Sequence, residues 1–212
     1  MGAVERRVRE RESIRSRILK AATELIQETG YENLTIRKVA NRIEYSPMAL
    51  YNHFPDKDSI LKALADEGFG RYLKTFPKRS TLPPIEELRR HMLSYIQFAM
   101  KQPGQYRLVF MTPRHRAHVE AAEGNQTVEQ IPNGNGRAAF TRLVEQVKLC
   151  GEANESFRNS FAVALSLWTG IHGAASLLIT LPHFPFGDHK AYAERTVDFL
   201  LSGLRATSDT SQ

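Results

Sequence analysis

The fold class is indicated most clearly by residues 35–54, which read TIRKVANRIEYSPMALYNHF. Its apolar residues recur at helical spacing in two short segments. Ser46-Pro47 marks the start of the second segment, because serine caps helices and proline is tolerated at the first helical position. Two short helices joined by a tight turn and packed on a longer first helix form a helix-turn-helix. The residues predicted to form its small core are Ile36, Val39, Ala40, Ile43, Leu50 and Phe54.

Helical spacing continues on both sides of this stretch. Upstream, Ile14, Ile18 and Leu25 lie on one face of a first helix that ends at Gly30. Downstream, Asp56 is a cap for a fourth helix, and no run of alternating β-branched residues bounded by hairpin turns appears. The sequence therefore predicts an all-α protein, with later helices at residues 85–99, 106–111, 137–149, 155–181 and 188–204 and a partly helical polar segment at 112–136.

The 212 residues suffice for one small domain and one of medium size. We predict a basic N-terminal arm at residues 1–12 and a three-helix helix-turn-helix domain at residues 13–59. A C-terminal helical bundle is predicted at residues 60–206, followed by a flexible tail at residues 207–212.

Composition and motifs exclude several classes of protein. Lysine and arginine number 29 against 23 acidic residues, a net charge of +6 that permits a polyanionic partner. Cys150, the one cysteine, allows neither an internal disulfide nor a cysteine zinc site, which fits a reducing, cytoplasmic compartment. The His115-x-x-His118 pair lacks a third ligand, so we predict no metal site. Because no nucleophile elbow, phosphate-binding glycine loop or His-Glu-x-x-His motif is present, we predict no enzyme and no cofactor.

One segment is long enough to cross a membrane. Residues 161–181 contain no charged side chain, but two glycines and several hydroxyl-bearing residues dilute their hydrophobicity. We interpret the segment as a buried core helix or a subunit-interface helix and predict no membrane association.

The helix-turn-helix stretch resembles the DNA-binding signature of the TetR family of regulators. The matching positions are Thr35, Val39-Ala40, Ser46, Leu50-Tyr51, His53-Phe54 and Lys57, and the long first helix ending in Gly30-Tyr31 fits as well. The chain departs from the pattern at Glu44, where many members carry glycine in the turn. A glutamate there requires a turn that avoids or tolerates a positive φ.

The resemblance implies a DNA-contact role for ten residues. Tyrosine and lysine position a protein on the phosphates, whereas asparagine can bind adenine with two hydrogen bonds. The phosphate-contacting positions are Tyr51, His53 and Lys57, joined by Thr35 and Arg37 from the preceding helix. The positions that read base edges and thymine methyl groups are Pro47, Met48, Ala49 and Asn52, and Ser46 completes the set.

The first seventeen residues are rich in arginine, and two interpretations stay open. The arm either follows the DNA backbone or enters a minor groove, or it is a disordered, solubilising tail. Its arginines, with those that open the first helix, are Arg6, Arg7, Arg9, Arg11, Arg15 and Arg17.

The resemblance further implies a C-terminal domain that dimerises and senses a small molecule. Trp168-x-x-x-His172-Gly173 resembles a signature of one class of such domains, the WHG class. The last two helices are the predicted homodimer interface, through Gly170, Ala174, Leu178, Phe199 and Leu200. Aromatic residues and methionines on the central helices are predicted to hold a small apolar or aromatic effector, because apolar cavities with a few polar anchors bind such molecules. They are Met92, Tyr95, Phe98, Tyr106, Phe110, Phe161, Trp168 and His172; ordinary core packing is the alternative for each.

These features predict a cytoplasmic, ligand-responsive transcriptional repressor. A homodimer would bind a palindromic duplex DNA operator and be released by the effector. A ligand-independent architectural DNA-binding protein is the alternative, and low sequence preference in a binding selection would favour it.

Overall fold

The computed structural model describes residues 2–76, 81–110, 127–151 and 159–206, apart from the side chains of residues 3 and 204–206. Within these ranges the regular structure is entirely helical, which confirms the all-α prediction. The helices are α1 (Ala3–Thr29), α2 (Ile36–Arg42), α3 (Pro47–Tyr51), α4 (Lys57–Leu73), α5 (Pro84–Lys101), α6 (Pro103–Phe110), a 3-10 turn (Val128–Gln130), α7 (Asn135–Gly151), α8 (Ser160–Thr180) and α9 (His189–Ala206). The tail at residues 207–212 and most of the polar segment predicted at 112–136 lie outside the described residues.

Helix α1 is longer than the sequence indicates. It begins at Ala3 and runs without interruption to Thr29, so the arm predicted at residues 1–12 is helical from Ala3 onward. Gly30 ends the helix with φ +82° and donates its backbone N–H to the Ile26 carbonyl over 3.0 Å. The disordered-tail interpretation of the arm is therefore not supported.

The chain forms two compact units. Among the described residues, the first contains residues 2–68 together with residues 104–110, and the second contains the others. The first unit is larger than the predicted domain at 13–59 because the start of α4 and helix α6 pack on it. Gln105 donates its side-chain N–H to the Leu64 carbonyl over 3.2 Å.

The core of the first unit contains all six residues predicted for it. Each of these six side chains is at most 8% exposed, which confirms the prediction. Helix α1 covers them with one apolar face, and α4 and α6 add to the same cluster. The added members include Ile18, Ala22, Leu25, Ile60, Leu64 and Leu108.

Helix α8 is the centre of the second unit. It packs against α5, α7 and α9, while α5 also contacts α7 and α9. The buried face of α8 carries Ala164, Leu167, Ile171, Ala174, Ala175, Leu178 and Ile179. Arg89 of α5 joins α9 through a two-pronged ion pair to Asp198, with contacts of 2.6 and 2.9 Å.

Candidate functional site

Two hydroxyl side chains fix where the helices of the helix-turn-helix begin. The Thr35 hydroxyl oxygen accepts the backbone N–H of Lys38, and the Ser46 hydroxyl oxygen accepts that of Ala49, each over 3.2 Å. These bonds satisfy amide groups that the first turn of a helix leaves unpaired. Pro47 occupies the first position of α3, as the sequence predicts.

The turn between α2 and α3 holds Glu44 in the left-handed region. Its φ is +60°, so the turn tolerates a positive φ at a non-glycine residue rather than avoiding it. Arg17 of α1 braces the same turn, because its guanidinium donates to the Ile43 carbonyl over 3.2 Å and to the Tyr45 hydroxyl over 3.3 Å. Arg17 therefore stabilises the turn between α2 and α3. The sequence groups it with the arginines of the arm and does not predict this role.

The outer surface of α3 is exposed. Met48 is 73% exposed and Tyr51 51%, although both are large side chains with apolar carbon. Asn52 is exposed as well, whereas Pro47 and Ala49 are partly buried. On the preceding helix Thr35 and Arg37 are also exposed. An exposed five-residue helix with a firmly capped start can enter a major groove, where base edges are read.

Basic groups surround the end of α3. The guanidinium of Arg15 lies 4.4 Å above the buried ring of Phe54. Partial burial lowers the pKa of the neighbouring His53, and the charges of Arg11 and Arg15 lower it further. Lys57, at the start of α4, donates to the Glu32 carbonyl over 3.4 Å. Positive charge therefore accumulates beside the recognition helix.

Six of the eight predicted effector residues lie in the second unit. The Tyr95 hydroxyl lies 3.0 Å from Nδ1 of His172, and the His172 and Trp168 rings are 5.4 Å apart. Phe140, which the sequence analysis missed, links two predicted residues: its ring lies 6.2 Å from Trp168 and 5.4 Å from Phe161. Rings on α5, α7 and α8 thus form a continuous series.

The series extends into a mostly buried cluster of polar and aromatic side chains. Tyr72 contacts Tyr95 and Phe98, with ring centroids 5.7 and 5.3 Å apart. His91 is only 4% exposed and stacks on Phe76 at 4.4 Å. The guanidinium of Arg142 lies 4.7 Å above the centre of the same Phe76 ring. Burial lowers the pKa of His91 to about 4, and the charge of Arg142 acts in the same direction.

The other predicted effector residues have different surroundings. Met92 is fully buried in the second unit. Tyr106 and Phe110 lie on α6, in the first unit, with their rings 4.9 Å apart. On α7, the side-chain oxygen of Gln146 is buried and has no hydrogen-bond partner among the described residues.

The residues predicted for a dimer interface separate into interior and exposed positions. Ala174 and Leu178 are 4% and 2% exposed, because α8 packs that face on its own neighbouring helices. Gly170 packs within the chain too: a Cβ placed there would lie 2.6 Å from Cδ1 of Leu200. Phe199 is 78% exposed. These placements revise the interface: Ala174 and Leu178 are core residues in this chain.

The exposed side of α8 carries no charge. It contains two leucines, Leu165 and Leu177, which are 37% and 42% exposed. We call this surface the α8 outer face; its members are Ala162, Leu165, Ser166, Thr169, Leu177 and Thr180. Among the described residues, α8 is the helix that is long and apolar enough to cross a membrane. A single such helix packed on three others is typical of a core helix.

A capped recognition helix on a helical scaffold defines a DNA-binding class of protein, and the comparisons identify the family. Residues 18–64 match the profile of bacterial regulatory proteins of the tetR family. Residues 88–200, more than half of the chain, match the tetracyclin repressor-like C-terminal domain. The chain belongs to the TetR family of transcriptional regulators, whose relatives found here are regulators and not enzymes. The match does not confirm the WHG class that Trp168 and His172 suggested.

Relatives include the HTH-type transcriptional regulator HbdR of Aromatoleum sp. (strain CIB), 26% identical over 66% of this chain and 65% of its own. The class A tetracycline repressor of Escherichia coli is 43% identical over 23% of each chain. The matches therefore span less than two thirds of each of these relatives.

Solved structures show the same fold over most of the chain. A TetR variant from Acinetobacter baumannii AYE in complex with minocycline has a TM-score of 0.63 at 19% identity, covering 91% of this chain and 97% of its own. BioQ of Mycobacterium smegmatis has a TM-score of 0.62 at 19% identity, covering 89% and 96%.

Proposed function

We propose that this regulator is a cytoplasmic repressor that binds a palindromic operator as a homodimer and leaves it when a small apolar or aromatic molecule binds. The exposed, capped recognition helix carries the proposal. In this proposal the phosphates are contacted by Tyr51, His53, Lys57, Thr35 and Arg37. The bases are read by Pro47, Met48, Ala49 and Asn52.

The surface chemistry of α3 supports direct base reading. Buried Leu50 anchors α3 to the core of the first unit, whereas Met48 and Asn52 are exposed. An exposed methionine suits thymine methyl groups, and an amide suits adenine. The hydroxyls of Thr35 and Ser46 keep a donor free for a phosphate after accepting their capping bonds.

The aromatic series in the second unit supports an apolar or aromatic effector. Partly buried Trp168 and Phe161, with the Tyr95–His172 pair as polar anchor, have the composition of small-molecule sites. Gln146 lies on the same helix as Phe140, and an effector N–H or O–H group that reached its buried side-chain oxygen would satisfy it. A protein of the same fold, the TetR variant from Acinetobacter baumannii AYE, was solved in complex with the small molecule minocycline.

The α8 outer face and Phe199 support the dimer. The α8 outer face carries two exposed leucines and no charge, and Phe199 is 78% exposed, a composition typical of a surface that a partner covers. Two copies would cover both, and a dimer would set two recognition helices about 34–36 Å apart, one turn of duplex.

A selection from random duplexes tests the proposal. We expect a two-fold symmetric consensus. Asn52→Ala should relax the preference at one position of each half-site, while Tyr51→Ala should weaken binding to every sequence about equally and reduce the salt slope by about 1 per contact. A selection without any consensus would instead favour the architectural DNA-binding protein.

Effector binding and operator binding are reciprocal in this proposal. A molecule that releases the operator must bind the free dimer more tightly than it binds the DNA-bound dimer. The ratio of the two affinities equals the factor by which the molecule weakens operator binding, typically about 5- to 150-fold. Operator release in the presence of a metabolite pool, measured by anisotropy of a labelled duplex, identifies active fractions. A ligand that tightens operator binding would make the protein a corepressor-dependent regulator and overturn the release step.

A further inference from the structure

The N-terminal extension of α1 carries a basic surface next to the recognition helix. At 3.6 residues per turn, Arg7, Arg11 and Arg15 recur at intervals of four and share one side of α1. Two glutamates of this segment, Glu10 and Glu12, flank the arginines: each is adjacent in sequence to Arg11 and so lies about 100° from it around the helix axis. We call Arg7 and Arg11 the arginine strip; both are exposed.

Contacts within the first unit fix the direction of this strip. Arg15 packs on Phe54, which follows His53 just after the end of α3. Arg11 and Arg15 both lower the pKa of His53, so both guanidinium groups lie within electrostatic reach of it. The strip therefore continues the positive surface of the recognition helix toward the start of α1, and Arg7 lies about 12 Å beyond Arg15 at 1.5 Å per residue.

The helical form of the extension decides between the two ways in which an arginine arm can bind a duplex. A minor groove is about 6 Å wide, whereas a helix with its side chains is about 10–12 Å across. Residues from Ala3 onward are helical, so this arm is too wide for the minor groove. The helix itself can therefore lie only along the phosphate backbone, with which guanidinium groups form strong, two-pronged contacts.

We propose that the arginine strip is a second DNA-binding element, in which Arg7 and Arg11 contact duplex phosphates beside the half-site that α3 reads. The inference rests on the proposed function, since α3 must first place the protein on a duplex. Phosphate contacts carry no sequence information, so the strip adds affinity and salt dependence without changing the consensus.

The test compares two double variants that remove the same charge. Arg7→Ala/Arg11→Ala deletes the strip, whereas Arg6→Ala/Arg9→Ala deletes two exposed arginines on the opposite side of α1. The measurement is the slope of log K against log salt concentration for a selected duplex. Each lost phosphate contact reduces the slope by about 0.9, so a dimer that loses four contacts should lose about 3.6.

We expect the strip variant to lose this slope and keep its consensus, and the opposite-side variant to change the slope by less than about 1. Circular dichroism should show both variants folded, because all four side chains are exposed. Equal losses in the two variants would reduce the effect to net charge and overturn the proposal, as would no loss in either. Failure of the wild-type chain to bind any duplex would instead overturn the proposed function.

Discussion

Glu44 is the residue at which this chain departs from its family's turn, and the structure shows what the departure costs. A φ of +60° brings the Cβ of an L-residue close to its own backbone, at a cost of about 1–2 kcal/mol. Contacts from Arg17 to both neighbours of Glu44 keep the turn in place. The hydrogen bonds of Arg17 therefore offset the backbone strain at Glu44, which keeps its positive φ.

Glu44→Gly should stabilise the protein. Glycine adopts the left-handed region without strain but gains freedom in the unfolded chain, so we expect the free energy of unfolding to rise by a net ~0.5–1 kcal/mol. Urea denaturation followed by circular dichroism measures it. Lys20→Gly, at an exposed position inside α1, is the control and should lower stability by about 1 kcal/mol. A loss of stability in Glu44→Gly would show that the Glu44 carboxylate makes a stabilising contact that outweighs the backbone strain.

His91 should make stability depend on pH. Burial lowers its pKa to about 4, whereas the unfolded chain takes up a proton near pH 6.5. The folded state therefore binds fewer protons in this window, and the free energy of unfolding should fall by up to about 3 kcal/mol from pH 6.5 to pH 4. Glu87 opposes the shift, while Arg142 strengthens it.

Two variants isolate the contribution of His91. His91→Phe keeps a ring against Phe76 and removes the titrating group, so its stability should change less between pH 6.5 and pH 4 than that of the wild type. His183→Gln alters an exposed histidine outside the helices and should keep the wild-type dependence. Parallel curves for all three proteins would contradict the assignment to His91.

Residue-level prediction from the sequence succeeded where the cause is local. A capping serine followed by proline determines a helix start within a few residues, and Ser46 and Pro47 act as predicted. His91 and Phe140 were missed because their surroundings come from other helices. A single histidine in a helical pattern shows neither its burial nor the ring that it stacks on.

At the scale of elements, α1 is both a scaffold and a brace. Its apolar face covers the core of the first unit, while Arg17 reaches the turn that sets the angle between α2 and α3. The periodic pattern predicted the apolar face, because burial repeats every three or four residues. The pattern could not predict the brace, since hydrogen bonds across distant residues leave no periodic signal.

Arg17→Ala should loosen the helix-turn-helix. Losing the bond to the Ile43 carbonyl and the contact with Tyr45 should lower the free energy of unfolding by about 1 kcal/mol. The operator affinity of Arg17→Ala should fall further below that of the wild type than the operator affinity of Lys20→Ala does. Lys20→Ala removes one charge from α1 away from the turn. Equal affinities and equal unfolding midpoints for the two variants would show that the turn holds its shape without Arg17.

Helix α8 shows how far an apolar pattern can be interpreted. The pattern predicted that α8 is buried or at an interface, and the buried face confirms the first alternative. Small and apolar residues look alike in sequence whether their own chain or a second chain covers them. Ala174 and Leu178 are covered by their own chain, whereas Phe199 is exposed.

At the scale of the whole molecule, the proposed dimer depends on exposed apolar surface. Phe199→Asp places a charge on the most exposed large apolar side chain of this surface and should shift the protein from dimer to monomer in analytical ultracentrifugation. Leu149→Asp, at a 46% exposed leucine on α7, is the matched control and should leave the dimer intact. A dimer that survives Phe199→Asp would move the interface away from α9.

The most direct test of the account is native mass spectrometry of the protein mixed with a duplex obtained from the selection. Two 24.0 kDa chains bound to one duplex with two-fold symmetry is the predicted result, and an effector should separate dimer from DNA. A complex with one chain per duplex, or a bound site without symmetry, would contradict a repressor that reads two half-sites.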